Sequence, residues 1–156
     1  MGVILVHLNY GEVVAYPFGY GLSYTNFNYG DMAINYDAET DSFEISVKVT
    51  NAGGVAGKES VQLFLQKPYT DYDKEKGIEK ASVELVDFAK TAKLESGAEE
   101  TVNFTVARRE LASYDSYGEK TYIVENGDYR FVVGHDAHDA VNNILADKEK
   151  TGMTDI

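Results

Sequence analysis

Phe43-Glu-Ile-Ser-Val-Lys-Val-Thr50 alternates without interruption, with Phe43, Ile45, Val47 and Val49 on one side and Glu44, Ser46, Lys48 and Thr50 on the other. A period of two is the mark of an extended strand with one buried and one wet face. Asn51-Ala-Gly-Gly54 interrupts it, and Ser60–Gln66 resumes with Val61, Leu63 and Leu65 inward, while Phe64 on the other face signals packing on both sides. The pattern returns in Met32, Ile34 and Tyr36, in Val83 and Leu85 with Phe88 further on, and in Val102, Phe104 and Val106. It closes with Tyr122 and Val124, then Tyr129, Phe131 and Val133, making about seven short strands.

The spacers carry turn chemistry. Asn126-Gly127 between TYIVE and DYRFVV predicts a two-residue hairpin, because both residues tolerate positive φ, and Glu95-Ser96-Gly97 predicts a tight reversal. Short alternating strands between turns predict an all-β fold, an antiparallel β-sandwich of immunoglobulin or fibronectin type III shape. The expected core is Phe43, Ile45, Val47, Val49, Leu63, Leu65, Leu85, Phe88, Val102, Phe104, Phe131 and Val133. Tyr114, in Leu111-Ala-Ser-Tyr114, is the expected corner tyrosine, whose hydroxyl bonds nearby backbone. Residues 136–150 place Ala137, Ala140, Val141, Ile144 and Leu145 on one helical stripe, with Asp136 as cap, Asp139 in the first turn, Lys148 and Lys150 near the end and Gly152 as the stop. Three segments follow: an aromatic, Gly-rich lead-in over 1–30, the sandwich over 31–134, and a helical tail or linker over 135–156.

The chain has 156 residues, 44% of them apolar, enough for one domain with a sizeable core. Acidic residues outnumber basic ones 26 to 14, for a net charge of −12, so phosphate backbones and anionic lipid surfaces are repelled and neither nucleic acid nor membrane is an expected partner. Without cysteine there is no disulfide, thiolate nucleophile or Cys-ligated zinc. Val3–Val6 is too short for a signal-peptide core and lacks a basic flank, and no apolar run approaches a membrane span; a cytoplasmic setting is the expectation.

Candidate chemistry is sparse. Asp71, Asp73 and Glu75 have the alternate spacing of a calcium loop, but Lys76 stands where the turn needs Gly and Ser82 where a bidentate acid belongs, so 69–80 reads as a solvated, mobile loop. His135 and His138, flanked by Asp136 and Asp139, lack a third ligand, and capping accounts for both acids, so no metal and no cofactor is expected. There is no Gly-x-Ser-x-Gly elbow, no carboxylate in an apolar setting that would make it a general acid, and no phosphate-loop ending after GYGLSY. What remains is the belt of Tyr16, Phe18, Tyr20, Tyr24, Phe27 and Tyr29. So dense an aromatic cluster suits packing against another domain, and the alternative use is a sugar-stacking platform.

Tyr16-Pro-Phe-Gly-Tyr-Gly-Leu-Ser-Tyr-Thr25 resembles the segment that leads into the fibronectin type III-like domain of glycoside hydrolase family 3, the β-glucosidase and β-xylosidase group. The resemblance continues through VKVTNAGGVAGKESVQLFLQ (47–66), VELVDFAKTAKLESGAEETVNFTV (83–106), RRELASYD (108–115) and YIVENGDYRFVVG (122–134). Tyr122 stands where that family usually has Trp, Asn126 where it often has Pro, and Asp87 where Gly is usual before Phe88. The insertion after Tyr69 and the helical tail are similar to a bacterial branch with permuted domain order. The resemblance implies a non-catalytic accessory domain whose partners are the catalytic domains of the same enzyme, the nucleophile lying outside this chain. No residue here is assigned as catalytic. The belt would serve interdomain packing, and Tyr69, Asp71, Tyr72 and Asp73 an active-site rim. A carbohydrate-binding module built on the belt aromatics is the rival reading.

Overall fold

The computed structural model describes residues 14–151. Val3–Val6, the rest of the first part of the lead-in and Gly152 lie outside the described residues. Two three-stranded antiparallel sheets face each other. One holds β1 (Phe27–Asp37), β2 (Ser42–Asn51) and β5 (Glu99–Ala107) in the order β1-β2-β5; the other holds β3 (Ser60–Gln66), β4 (Glu84–Lys90) and β8 (Arg130–Gly134) in the order β4-β3-β8. A small ribbon pairs β6 (Ser113–Tyr114) with β7 (Tyr122–Ile123), and two helices are added, α1 (Asp71–Lys76) and α2 (Ala137–Thr151).

The alternation of 43–50 does its expected work. Ile45 lies opposite Phe104, and Val47 opposite Val102, in the β2–β5 register. With Val49, Val61, Leu63, Leu65, Val106, Leu111 and Val133 they form one buried cluster between the sheets, flanked by partly buried Phe43 and Phe131. Phe64, also buried, points to the outer face. That face carries α2, which packs on β8: a Cβ on Gly134 would come within 2.8 Å of the Ala140 nitrogen, so the glycine permits the approach. Ala140 and Ile144 are buried on the helix's inner stripe, whereas Leu145 sits at its exposed margin. Asp136 caps the helix, its carboxylate accepting from the Asp139 N–H at 2.8 Å.

Three expectations are corrected. Leu85 and Phe88 are outside the core, Phe88 being 68% exposed. The register shifts between Leu63 and Phe64, which pair with Asp87 and Leu85, leaving Val86 as the extra residue. This bulge turns Val86 and Ala89 inward instead. The second correction is at Asn126-Gly127, where no hairpin forms. The strands on either side join different sheets, β7 pairing with β6 and β8 with β3. Gly127 is needed there for close approach, since a Cβ would sit 2.7 Å from that of Pro68. The third is the extent of the first strand, which starts at Phe27, inside the segment read as lead-in. The Glu95–Gly97 reversal forms as expected, with Gly97 at φ 77° and the Ala98 N–H donating to the Glu95 carbonyl at 3.0 Å.

Candidate docking surface

The aromatic lead-in is an irregular segment, and its placement depends on a few buried polar contacts. Asn51, expected only to break a strand, is fully buried at the end of β2. Its amide donates to the carbonyls of Val55 and Leu94, both at 2.9 Å, and its Oδ1 accepts from Thr25 Oγ1 at 2.7 Å and the Gly53 N–H at 3.1 Å. Thr25 is the last residue of the decapeptide. Its side chain leaves no room for a Cβ on Gly53 or Gly57, which would lie 2.1 Å from Thr25 Oγ1 and 2.7 Å from its Cγ2. The lead-in and the Asn-Ala-Gly-Gly turn, distant in sequence, thus form a single lock.

A second lock lies at Gln62 on β3. Its Nε2 donates to the carbonyls of Gly19 at 2.8 Å and His135 at 2.9 Å, tying the lead-in to the start of α2. The Ala137 N–H donates to the Phe18 carbonyl at 2.9 Å. Gly19 has φ 85°, in the left-handed region glycine favours, and a Cβ there would collide with the Gln62 amide. Beside this lock, the Tyr29 hydroxyl donates to Glu59 Oε1 at 2.7 Å, and the His135 ring stacks on Tyr29 with centroids 4.7 Å apart. The Glu59 carboxylate holds the His135 imidazole above its ordinary pKa, while burial and Glu59 push the Tyr29 phenol up.

Between these anchors the aromatic side chains turn outward. Tyr16, Phe18, Tyr20 and Tyr24 are exposed, from 45% at Tyr20 to 99% at Tyr24, and Leu22 is exposed with them. Tyr16 and Tyr20 pack ring against ring at 5.1 Å. Two members of the expected belt belong elsewhere. Phe27, 5% exposed, is part of the sandwich core, and Tyr29 packs against that core. Both lie on β1, whose strand geometry turns these alternate residues inward.

The 69–80 segment is a pinned helical turn rather than a solvated loop. Thr70 caps α1 in a reciprocal box with Asp73, and Gly77 ends it at φ 65°. Asp73 is fully buried, so it is unavailable to a rim. Lys80 Nζ reaches Asp73 at 2.7 Å and also contacts Glu125. Burial alone would raise the Asp73 carboxyl, but Lys80 and the Thr70 N–H outweigh it and hold it below the ordinary range. Tyr72 is half-buried, its hydroxyl donating to Asp115 at 2.6 Å, and this bond pushes the phenol up to about 12. Tyr69 and Asp71 remain exposed.

Tyr114 is exposed and its hydroxyl reaches forward to the Lys120 carbonyl at 3.3 Å. The upstream contact typical of a sandwich corner is made by Tyr129 instead, whose hydroxyl donates to the Glu125 carbonyl and accepts from the Glu125 N–H, both at 3.1 Å. Tyr129 directly precedes β8 and packs on the core, so its position before the last strand was the signal in the sequence. Among the described residues, no group of three His, Cys, Asp or Glu is placed to hold a metal. None of their helices is long and apolar enough to cross a membrane.

Comparison with known proteins gives a consistent set of likenesses. A family model described as a fibronectin type III-like domain matches residues 59–137. The thermostable β-glucosidase B of Acetivibrio thermocellus is 37% identical over 81% of this chain and 16% of its own length. The β-glucosidase of Ruminococcus albus is 37% identical over 81% of the chain and 13% of its own. Among solved structures, β-glucosidase 3B from Thermotoga neapolitana in complex with α-D-glucose superposes with a TM-score of 0.69 at 35% identity, covering 80% of this chain and 16% of that one. The chain therefore spans less than a fifth of the length of these relatives.

Proposed function

Since the chain belongs to the fibronectin type III-like domain family, we propose that it is the non-catalytic sandwich of a family 3 glycoside hydrolase of β-glucosidase type, docking on and orienting the catalytic domains. The observation that carries this reading is the segment between Glu12 and Asp31. It contains no charged residue in a protein of net charge −12, and it presents Tyr16, Phe18, Tyr20, Leu22 and Tyr24 outward from buried anchors. An apolar surface on a rigid support loses little conformational entropy when covered. In this proposal 1–30 joins the sandwich to its neighbour, 31–134 is the sandwich itself apart from the part of β1 that precedes it, and 135–156 continues towards the next domain. The nucleophile is supplied from outside the chain, and exposed Tyr69 and Asp71 extend towards the active-site rim.

Hydrogen exchange on the full-length parent and on the isolated chain tests this. Amides of 16–24 are expected to be slower to exchange in the parent, and Tyr24→Ser with Phe18→Ser to lower the parent's unfolding midpoint. Equal exchange in both settings refutes the docking role. Saturable cello-oligosaccharide binding abolished by those substitutions would assign the belt to sugar stacking instead.

A further inference from the structure

Asn126-Gly127 forms no hairpin, and its surroundings leave it chemically open. Both residues are exposed and outside any strand or helix, and Asn126 lines an open cleft with Thr70, Tyr72 and Val124. Among the described residues, nothing bonds the Asn126 side-chain amide or the Gly127 N–H. Gly127 also has no Cβ to shield its nitrogen. Every other asparagine is followed by a residue with a side chain, and Asn51 is buried with its amide engaged at both ends.

We propose that Asn126 is a site of spontaneous deamidation, with water as the only co-reactant and isoaspartate as the main product. The Gly127 nitrogen, giving its proton to solvent base, attacks the Asn126 side-chain carbonyl carbon. The bond from that carbon to the side-chain nitrogen breaks, ammonia leaves, and a five-membered succinimide closes. Water then adds to one of the two ring carbonyls. Opening at one restores the ordinary backbone with an aspartate; opening at the other routes the backbone through the former side-chain carbon, as isoaspartate. One water enters, one ammonia leaves, and nothing is oxidised or reduced.

The position of this peptide gives the product its consequence. The Tyr129 hydroxyl holds both the N–H and the carbonyl of Glu125, each at 3.1 Å, which closes a loop around the 126–127 bond. Isoaspartate adds one backbone carbon inside that loop and one negative charge beside Glu125 and Asp128. Glu125 in turn accepts from Thr70 Oγ1 at 2.5 Å and contacts Lys80, so conversion loosens the seat of α1. The site lies away from the belt and does not rest on the docking role.

The experiment ages the full 156-residue chain and the free peptide Thr121–Arg130 side by side at mildly basic pH, where the attacking nitrogen loses its proton more readily. Trypsin, cutting after Lys120 and Arg130, releases the same segment from the aged chain, and electron-transfer fragmentation separates isoaspartate from aspartate in it. A gain of about 1 Da is expected in 121–130, with isoaspartate in excess. Its rate should fall within about tenfold of the free peptide's, since no local opening has to precede the attack. Asn126→Gln, whose attack closes a less favourable six-membered ring, should slow the gain at least about tenfold. In the aged chain the amide shifts of Thr70, Glu125 and Tyr129 should move, and they should move less in Asn126→Asp, which adds the charge without the carbon. The proposal fails if the folded chain lags the peptide by more than about tenfold, if another asparagine converts first, or if the gain persists in Asn126→Gln. Unchanged shifts at those three residues in the isoaspartate form overturn the link to α1, and equal movement in Asn126→Asp overturns the part given to the added carbon.

Discussion

Asn51 has no exposed surface, and both ends of its amide are used. Replacing it with Ala takes a bond from the buried Thr25 hydroxyl and from the Val55 carbonyl, while the Leu94 carbonyl and the Gly53 N–H each keep a backbone partner, so Asn51→Ala should destabilise the chain by about 1–3 kcal/mol in urea unfolding. Thr25→Val, nearly isosteric, should reproduce part of that loss and loosen the lead-in. Asp115 is a second fully buried group, accepting from Tyr72 and from the N–H groups of Gly118, Glu119 and Tyr117. The Tyr72 bond, followed by those backbone donors, lowers its pKa to about 2. A folded value below the unfolded one, about 3.9, means that ionised Asp115 stabilises the fold fully above about pH 4. That contribution is lost as pH falls towards 2. Thermal midpoints between pH 5 and 2 should therefore fall less steeply in Asp115→Asn than in the parent sequence; an unchanged slope would show that other carboxylates govern the acid limb. Neither role is visible in sequence, where Asn51 reads as a turn residue and Asp115 as one acid among many, because Thr25 and Leu94 for the one and Tyr72 for the other lie far along the chain.

Among elements, β2 and β5 follow their sequence pattern and β4 does not. The first two are paired continuously, so alternation maps directly onto in and out. β4 is an edge strand with a bulge, and one extra residue moves the following side chains to the other face. Phe104→Ala, 3% exposed, should cost about 3–5 kcal/mol, whereas Phe88→Ala should stay within about 0.5 kcal/mol. Equal losses at the two positions would place Phe88 in the core and undo the bulge assignment. The α1 turn illustrates the opposite misreading. YTDYDKEKGIEK looks solvated because it is polar, yet its Asp73 is buried beside Lys80 and Glu125, a pairing from residues 45 positions apart. Polarity marks a segment as surface only when its charges lack internal partners.

For the whole molecule, charge and apolar surface are unevenly distributed, with −12 overall but none between Glu12 and Asp31. Near the sequence pI of about 4.6 the repulsion that keeps copies apart vanishes while the exposed belt remains. The isolated chain should self-associate there in sedimentation velocity, and Tyr24→Ser with Phe18→Ser should return it to monomer; association unaffected by both substitutions would move the contact to another surface. The sandwich class, its core strands, the capped C-terminal helix and the aromatic lead-in are all present in the sequence alone, because periodicity, capping and local composition are properties of neighbouring residues. The tertiary structure alone decides which aromatics are core and which face outward, where the edge strand bulges, and that Thr25 closes on Asn51. Those outcomes depend on which distant segments meet, and no local pattern of side chains encodes the distance between them.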